Sequence, residues 1–185
     1  VTLSLPQLAH ILKTAKEFGI HCQTYTDTHI IAPGDSAALR RYQKVIKTPV
    51  IYNEDIISEM TVEPCKCLAI ELEDLEKLEA LRLSLLPFAE KEGISMLYSN
   101  PYYLEMFPAI SGKGAAVKKL CQLLNINPYF SVAAGDAQND LSMIEAAGMG
   151  IAMKNGSEDV KMAATTITDY DNNEDGLAKA LIDLI

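Results

Sequence analysis

The period of apolar positions changes several times along the chain, and each change marks an element. Leu5, Leu8, Leu12 and Ala15 recur at helical spacing behind a capping-box pattern of Ser4 and Gln7, and Gly19 stops the run. Residues 20–25 and 28–32 read as two strands around a tight turn at Thr26-Asp27. A helix over 36–46 and a short one near 54–60 follow. Next come a strand at 65–72, a long helix over about 74–92, and strands at 94–99 and 102–107 that turn at Asn100-Pro101. Hairpins with helices on one side make an α+β pattern.

After Pro108 the rhythm becomes a regular alternation. A helix over 114–124, a short apolar strand at 130–134 and a helix at 141–147 are followed by strand 150–153, helix 160–164, strand 165–168 and helix 174–185. Short apolar strands separated by helices predict a parallel sheet covered on both faces. The boundary between the two regions falls near Pro108 to Gly112, which predicts domains at 1–108 and 109–185.

Composition narrows the function classes. With 49% hydrophobic and 22% charged residues, the 185-residue chain has the make-up of an ordinary soluble globular protein. No apolar run approaches the ~18 residues that a membrane span needs, and no signal peptide is expected. A net charge of -9 argues against nucleic acid, which calls for a basic footprint. Four cysteines without regular spacing read as reduced thiols, and a cytoplasmic location is expected. Cys65 and Cys67 form a C-x-C pair with no second pair or histidine to complete a metal site. The first residue is Val, so a natural start upstream is expected.

Candidate chemistry concentrates at Ala134-Gly135-Asp136-Ala137-Gln138-Asn139-Asp140, where an apolar strand ends and a helix begins. Ligands of open α/β sheets bind outside the carboxyl ends of the strands. Asp136 at the strand tip and Asp140 in the first helical turn suit Mg2+, which takes hard oxygen ligands and leaves much of its shell to water and phosphate. The residues alone equally allow Asn139 or Asp140 to be a helix cap and Asp136 a turn residue.

Gly112-Lys113-Gly114 opens a helix and offers a positive charge with free backbone N–H groups, a setting for a phosphate oxygen. It is not a P-loop, because Gly114 replaces the Ser or Thr after the lysine; taken by itself, Lys113 reads as a solvated loop residue. Asp171 to Gly176 matches the first half of a calcium loop, but Ile182 stands where a bidentate Glu is required, so the run reads as a turn and helix cap that Leu177, Leu181 and Leu184 continue. Asp169-Tyr-Asp171 is formally a D-x-D without a following Gly-Thr. His10, His21 and His29 share no face and read as surface or packing residues, and Tyr102 and Tyr103 pack or line a cleft.

Taken together, Gly135-Asp136-Ala-Gln-Asn139-Asp140 with Met143, then Ala146 through Asn155, resembles the haloacid dehalogenase-like (HAD) phosphatases of the Cof type. Ala163 through Thr168, Glu174 to Gly176 and the Gly112-Lys113-Gly114 turn are similar to that family as well. The likeness spans residues 101–185 by motif and the preceding stretch by pattern. It implies an α/β fold: the C-terminal part of a Rossmann-like HAD core plus a large α+β cap domain. It also implies Mg2+-dependent hydrolysis of a small phosphorylated metabolite through a phosphoaspartate. By position, Lys113 would steady the nucleophile and the phosphoryl group, Asp136 would be the Mg2+ ligand and Asp140 would support the metal shell. Asn139 would touch metal water or phosphate, and Asn155 would contact substrate. Phosphoryl transfer is mainly positioning and charge neutralisation, so these roles are physically coherent.

The nucleophile motif D-x-D-G-T, which the family places ahead of its cap, does not occur in the 185 residues. The chain therefore resembles the carboxyl-terminal two thirds of such a phosphatase, expected to be inactive alone because covalent catalysis needs that carboxylate. The alternative is a naturally short, non-catalytic protein that acts as a binding or assembly module. Either way the strand at 130–134 is expected to present an unpaired apolar edge, open to self-association or to the nucleophile segment.

Overall fold

The computed structural model describes residues 1–182 and divides into two compact units, Val1–Ile110 and Ser111–Ile185. In the first unit, α1 (Leu5–Glu17) starts where Ser4 accepts the Gln7 N–H and the Gln7 side chain accepts the Ser4 N–H in return. Gly19, at φ +62°, releases the chain from α1 into β1 (His21–Tyr25). The turn is wider than Thr26-Asp27: Thr26 N–H donates to His29 C=O, so β2 starts only at Ile30 and ends at Ala32. Thr26 itself accounts for the difference, because its hydroxyl accepts from the backbone of Thr28 and His29 and stabilises the broader loop.

Helix α2 (Ala37–Tyr42) is followed by a strand that the apolar pattern leaves out, β3 (Val50–Tyr52). Three residues are too few for a period, and β3 is held by parallel pairing of Val50 with Ile30 and Tyr52 with Ala32. Then come α3 (Ile56–Glu59), β4 (Cys67–Ile70), the long α4 (Leu75–Glu92), β5 (Ile94–Asn100) and β6 (Tyr103–Pro108). Asp74 caps α4, and Gly93 at φ +66° ends it.

The six strands form one sheet in the order β3-β2-β1-β4-β6-β5. All its pairings are antiparallel except β2 with β3, so hairpins alone do not describe it. Nor do the helices lie on one side. Alternate strand residues Ile31, Cys67 and Ala69 pack with α1, α3 and α4, whereas Ile30, Ala32, Leu68 and Ile70 pack with the Ala38 and Leu39 side of α2. A period of two sends neighbouring residues to opposite faces, and both faces of this sheet are apolar in sequence.

The second unit opens with α5 (Lys113–Leu124) and a 3-10 turn, Pro128–Phe130, that takes Phe130 out of the expected strand. Pro128 cannot donate to a ladder, and Asn127 accepts the Tyr129 N–H to start the turn. The strand itself, β7, runs Val132–Gly135. Next are α6 (Leu141–Ala146), β8 (Met149–Ala152), α7 (Glu158–Ala163), β9 (Thr166–Ile167) and α8 (Gly176–Ile182). The last turn of the expected final helix, with Leu184, lies outside the described residues. Strands β7, β8 and β9 are parallel neighbours in that order. Among the described residues no helix is long and apolar enough to cross a membrane.

Candidate active site

The second unit gathers its polar groups at the carboxyl end of β7. Gly135 closes the strand, Asp136 follows it, and a 3-10 turn (Gln138–Asp140) leads into α6. Asp140 is buried, and both of its oxygens are engaged. Oδ2 accepts from the backbone N–H of Asp136 at 3.0 Å and of Ala137 at 3.2 Å, while Oδ1 holds the Lys113 ammonium in an ion pair. Burial alone would raise the Asp140 pKa; the Lys113 ammonium and the two N–H donors outweigh it and hold the carboxyl below its ordinary value.

This carboxylate sets the shape of the strand tip. It clamps the backbone on either side of the Asp136–Ala137 peptide and draws in a lysine 27 positions away in sequence. Gly135 is the residue that lets it do so. A Cβ there would lie 2.3 Å from Asp140 Cβ and 2.8 Å from Oδ2. The strand end must be glycine for the turn to fold back on it.

Lys113 is the first residue of α5, which places its charge beside the positive end of that helix. Gly114 has a different role from the one its position beside Lys113 suggests. Its N–H donates to Ser142 Oγ at 3.1 Å, and a Cβ on it would come within 2.2 Å of Ser142 C=O. The glycine lets α5 approach the start of α6 closely, which brings Lys113 to Asp140.

Asp136 is half-buried, and its carboxylate makes no hydrogen bond or ion pair to a described residue. Its backbone is fixed from two directions. The loop after β8 returns to it, with Met153 N–H donating to Gly135 C=O at 3.0 Å and Ser157 N–H to Asp136 C=O at 2.9 Å. Asn155 lies on that same loop, exposed, and its Oδ1 accepts the Asn172 N–H at 3.1 Å. Asn139 sits half-buried in the 3-10 turn, its side chain without a hydrogen bond to a described residue. The structure thus brings Lys113, Asp136 and Asp140 together, sets Asn139 beside them and puts Asn155 on the adjoining loop.

A hard cation fits this donor set through one residue. Asp136 offers a carboxylate with both oxygens open, whereas the oxygens of Asp140 are already committed to Lys113 and the backbone. Among the described residues no group of three or more His, Cys, Asp or Glu side chains could hold a metal ion. Mg2+ is often held by one or two carboxylates, with water and phosphate completing the shell, and Asp136 meets that requirement.

The other sequence candidates make no hydrogen bond or ion pair with Lys113, Asp136 or Asp140, although the Asp171 run reaches Asn155 through the Asn172 N–H. Asp171 Oδ1 accepts the Asn173 N–H at 2.7 Å and its C=O accepts the Gly176 N–H, the turn and helix start expected of that run. Cys65 is exposed and Cys67 buried, and neither belongs to a metal-binding group among the described residues. His10 stacks on Phe88 with ring centroids 3.9 Å apart. Tyr103 packs edge-on against Tyr42, and Tyr102 lies beneath the Arg41 guanidinium.

The haloacid dehalogenase-like hydrolase family matches residues 1–181. The 5-amino-6-(5-phospho-D-ribitylamino)uracil phosphatase YwtE of Bacillus subtilis (strain 168) is 29% identical over 183 residues, covering 86% of this chain and 62% of its own length. Phosphatase YwpJ of the same organism is 37% identical over 98 residues, covering 53% of this chain and 34% of its own. The chain therefore spans between one third and two thirds of these two relatives. A crystal structure of a haloacid dehalogenase-like hydrolase from Bacteroides thetaiotaomicron superposes with a TM-score of 0.85 at 29% identity, covering 100% of this chain and 68% of that one. A glycine-closed strand tip, a clamped aspartate and a helix-borne lysine thus stand in a chain matched almost from end to end by one family, and the chain belongs to the haloacid dehalogenase-like hydrolases.

Proposed function

We propose that this chain supplies the metal and lysine side of a phosphatase site that acts on small phosphate monoesters. The observation that carries the reading is the division of labour between two carboxylates. Asp140 is spent on Lys113 and the backbone, and Asp136 is left open at the strand tip. Asp136 would hold Mg2+, whose contribution when bound is to neutralise charge on the phosphoryl oxygens. Lys113, oriented by Asp140 and half-exposed, meets a phosphate oxygen with its remaining N–H donors. Asn139 and Asn155 offer amide groups to the ester, and the first unit is read as the cap that selects it.

These groups attract and polarise a phosphate but do not attack it. Turnover requires a nucleophilic carboxylate, and the 185 residues present none in the family's D-x-D-G-T context. Supporting the reading, β7 is bordered by β8 on one side, and among the described residues no strand pairs with its other edge. A strand bearing the nucleophile would bring it next to Asp136, and without one the same edge favours self-association. A cytoplasmic setting accords with four free cysteines among the described residues.

The assay is p-nitrophenyl phosphate hydrolysis with Mg2+. The chain alone is expected to give the background rate. Addition of a D-x-D-G-T strand peptide is expected to yield turnover that Asp136→Asn or Lys113→Met removes. A mixture that associates but never turns over would overturn the phosphatase reading. Activity of the chain alone that Asp136→Asn abolishes would overturn its predicted inactivity.

A further inference from the structure

The first unit contains a cavity of about 710 Å³ that the chemistry above does not use. It opens at the end of the six-stranded sheet remote from the exit of β6 at Pro108. Strand β4 runs from Cys67, beside Met106, to Ile70, beside Tyr103, and Ile70 to Glu73 then line the cavity. Its volume is that of a small-molecule site. Leu12, Ile20, Ile56, Ile57, Ile70 and Leu72 contribute apolar walls.

The polar groups on its floor are already satisfied by one another. Ser36 Oγ accepts the Leu39 N–H at 3.0 Å as the α2 cap, and therefore turns its own hydrogen to His21 Nδ1, 3.0 Å away. The imidazole proton then sits on Nε2 and donates to Gln23 Oε1 at 3.0 Å. Burial lowers the His21 pKa, with the Gln23 bond opposing, which keeps the ring neutral. Such a floor has few free donors for a sugar or a phosphate.

Charge is left to the rim. Asp35, Glu54, Asp55, Glu71 and Glu73 line the cavity with Lys13 and Lys16. Arg40 pairs with Asp35, Lys77 with Glu71 and Lys13 with Glu17. Once those pairs are set aside, Glu54, Asp55 and Glu73 face a single cation, Lys16. Glu54 and Glu73 are exposed and make no ion pair to a described residue.

We propose that this cavity binds a small amphipathic cation, an apolar or aromatic body carrying a protonated amine, with the body against the Leu12, Ile57 and Ile70 walls and the ammonium at the acidic rim to which Glu54 and Glu73 belong. The site is built by the first unit alone, and its test does not depend on phosphatase activity.

The chain has no tryptophan, so an indole probe is the only indole emitter in the sample. Three probes of one shape separate the terms: tryptamine (cation), indole-3-propanol (neutral) and indole-3-propionate (anion). Tryptamine is expected to saturate with an affinity about tenfold above that of the propionate, with the propanol between them. In the double variant Glu54→Gln, Glu73→Gln the cation preference should fall below about threefold. Gly34→Phe is the blocking variant, since a Cβ at Gly34 meets no atom within 4 Å and Gly34 lines the cavity. It should abolish tryptamine binding while leaving the thermal unfolding curve in place. The proposal is overturned if tryptamine gives no saturable change, if the anion binds as well as the cation, or if tryptamine binding survives Gly34→Phe.

Discussion

The two units bury their sheets very differently. In the first, eighteen buried residues form one cluster between the sheet and α1, α3 and α4, and smaller clusters under α2 cover the other face. In the second, the described residues give one small cluster, Ile144, Ala152 and Val160. Phe130, in the turn before β7, is 76% exposed, and Val132, the first residue of β7, is 50% exposed. The first unit is held mainly by apolar burial, which is roughly proportional to area and indifferent to pH. The second relies more on directed contacts: Asp140 with Lys113 and two N–H groups, and glycines that permit close approach. The candidate-site side chains therefore sit among directed contacts rather than over a large apolar cluster, and each unit should fail in its own way.

Truncating the large core should give the largest effect. Leu81 is fully buried in α4, and Leu81→Ala is expected to destabilise the first unit by about 3–4 kcal/mol, read as a shifted denaturant midpoint of its amides. If amides of the second unit shift as much, the two units do not unfold separately. Next, Gly135→Ala should cost the second unit about 1–3 kcal/mol by overpacking against Asp140, with hydrogen exchange accelerated at Asp136 and Ala137. Unchanged protection there would mean that Asp140 does not clamp the turn.

Acid sharpens the contrast further. The Asp140 pKa is depressed in the folded chain, so its stabilisation is complete above the ordinary value of 3.8 and is lost as pH falls from there through the lower folded value. Circular dichroism and amide exchange should show the second unit loosening in that window, and Asp140→Asn should remove the pH dependence along with the stability. In the first unit the Arg82 guanidinium holds the Glu79 carboxyl down to about 2, giving the same sign of effect. Its side chain is 42% exposed, however, so solvent screening leaves a smaller acid step there. The smallest expected effect is the cap of α1: Ser4→Ala should cost about 1 kcal/mol, confined to the first unit.

Sequence reading reached most of the elements because most carry a local signal. The Ser4/Gln7 box, the Leu5, Leu8, Leu12 and Ala15 spacing and the apolar strand before Asp136 can each be read within a dozen residues. Two kinds of information were out of reach. Short strands such as β3 exist through pairing with a distant neighbour, and α2 covers a sheet face that local pattern does not assign to it. At the candidate site, residue identities were legible and their interactions were not. Nothing in the spacing between Lys113 and Asp140 announces an ion pair, and Gly114 next to a lysine suggests an anion cradle rather than contact with Ser142. His21 and Ser36 read as unrelated residues until the fold placed them side by side.

The most direct test of the account is a Mg2+ titration of the isotopically labelled chain followed by amide NMR shifts. With Asp136 the one open carboxylate of the Lys113, Asp136 and Asp140 cluster, the saturating shifts of this site should fall on residues 135–140 and the loop at 153–157, with an affinity weaker than micromolar. Asp136→Asn should remove them while the shifts reporting Lys113 and Asp140 stay in place. Shifts that survive Asp136→Asn, or micromolar affinity for the ion, would contradict the division of roles between Asp136 and Asp140.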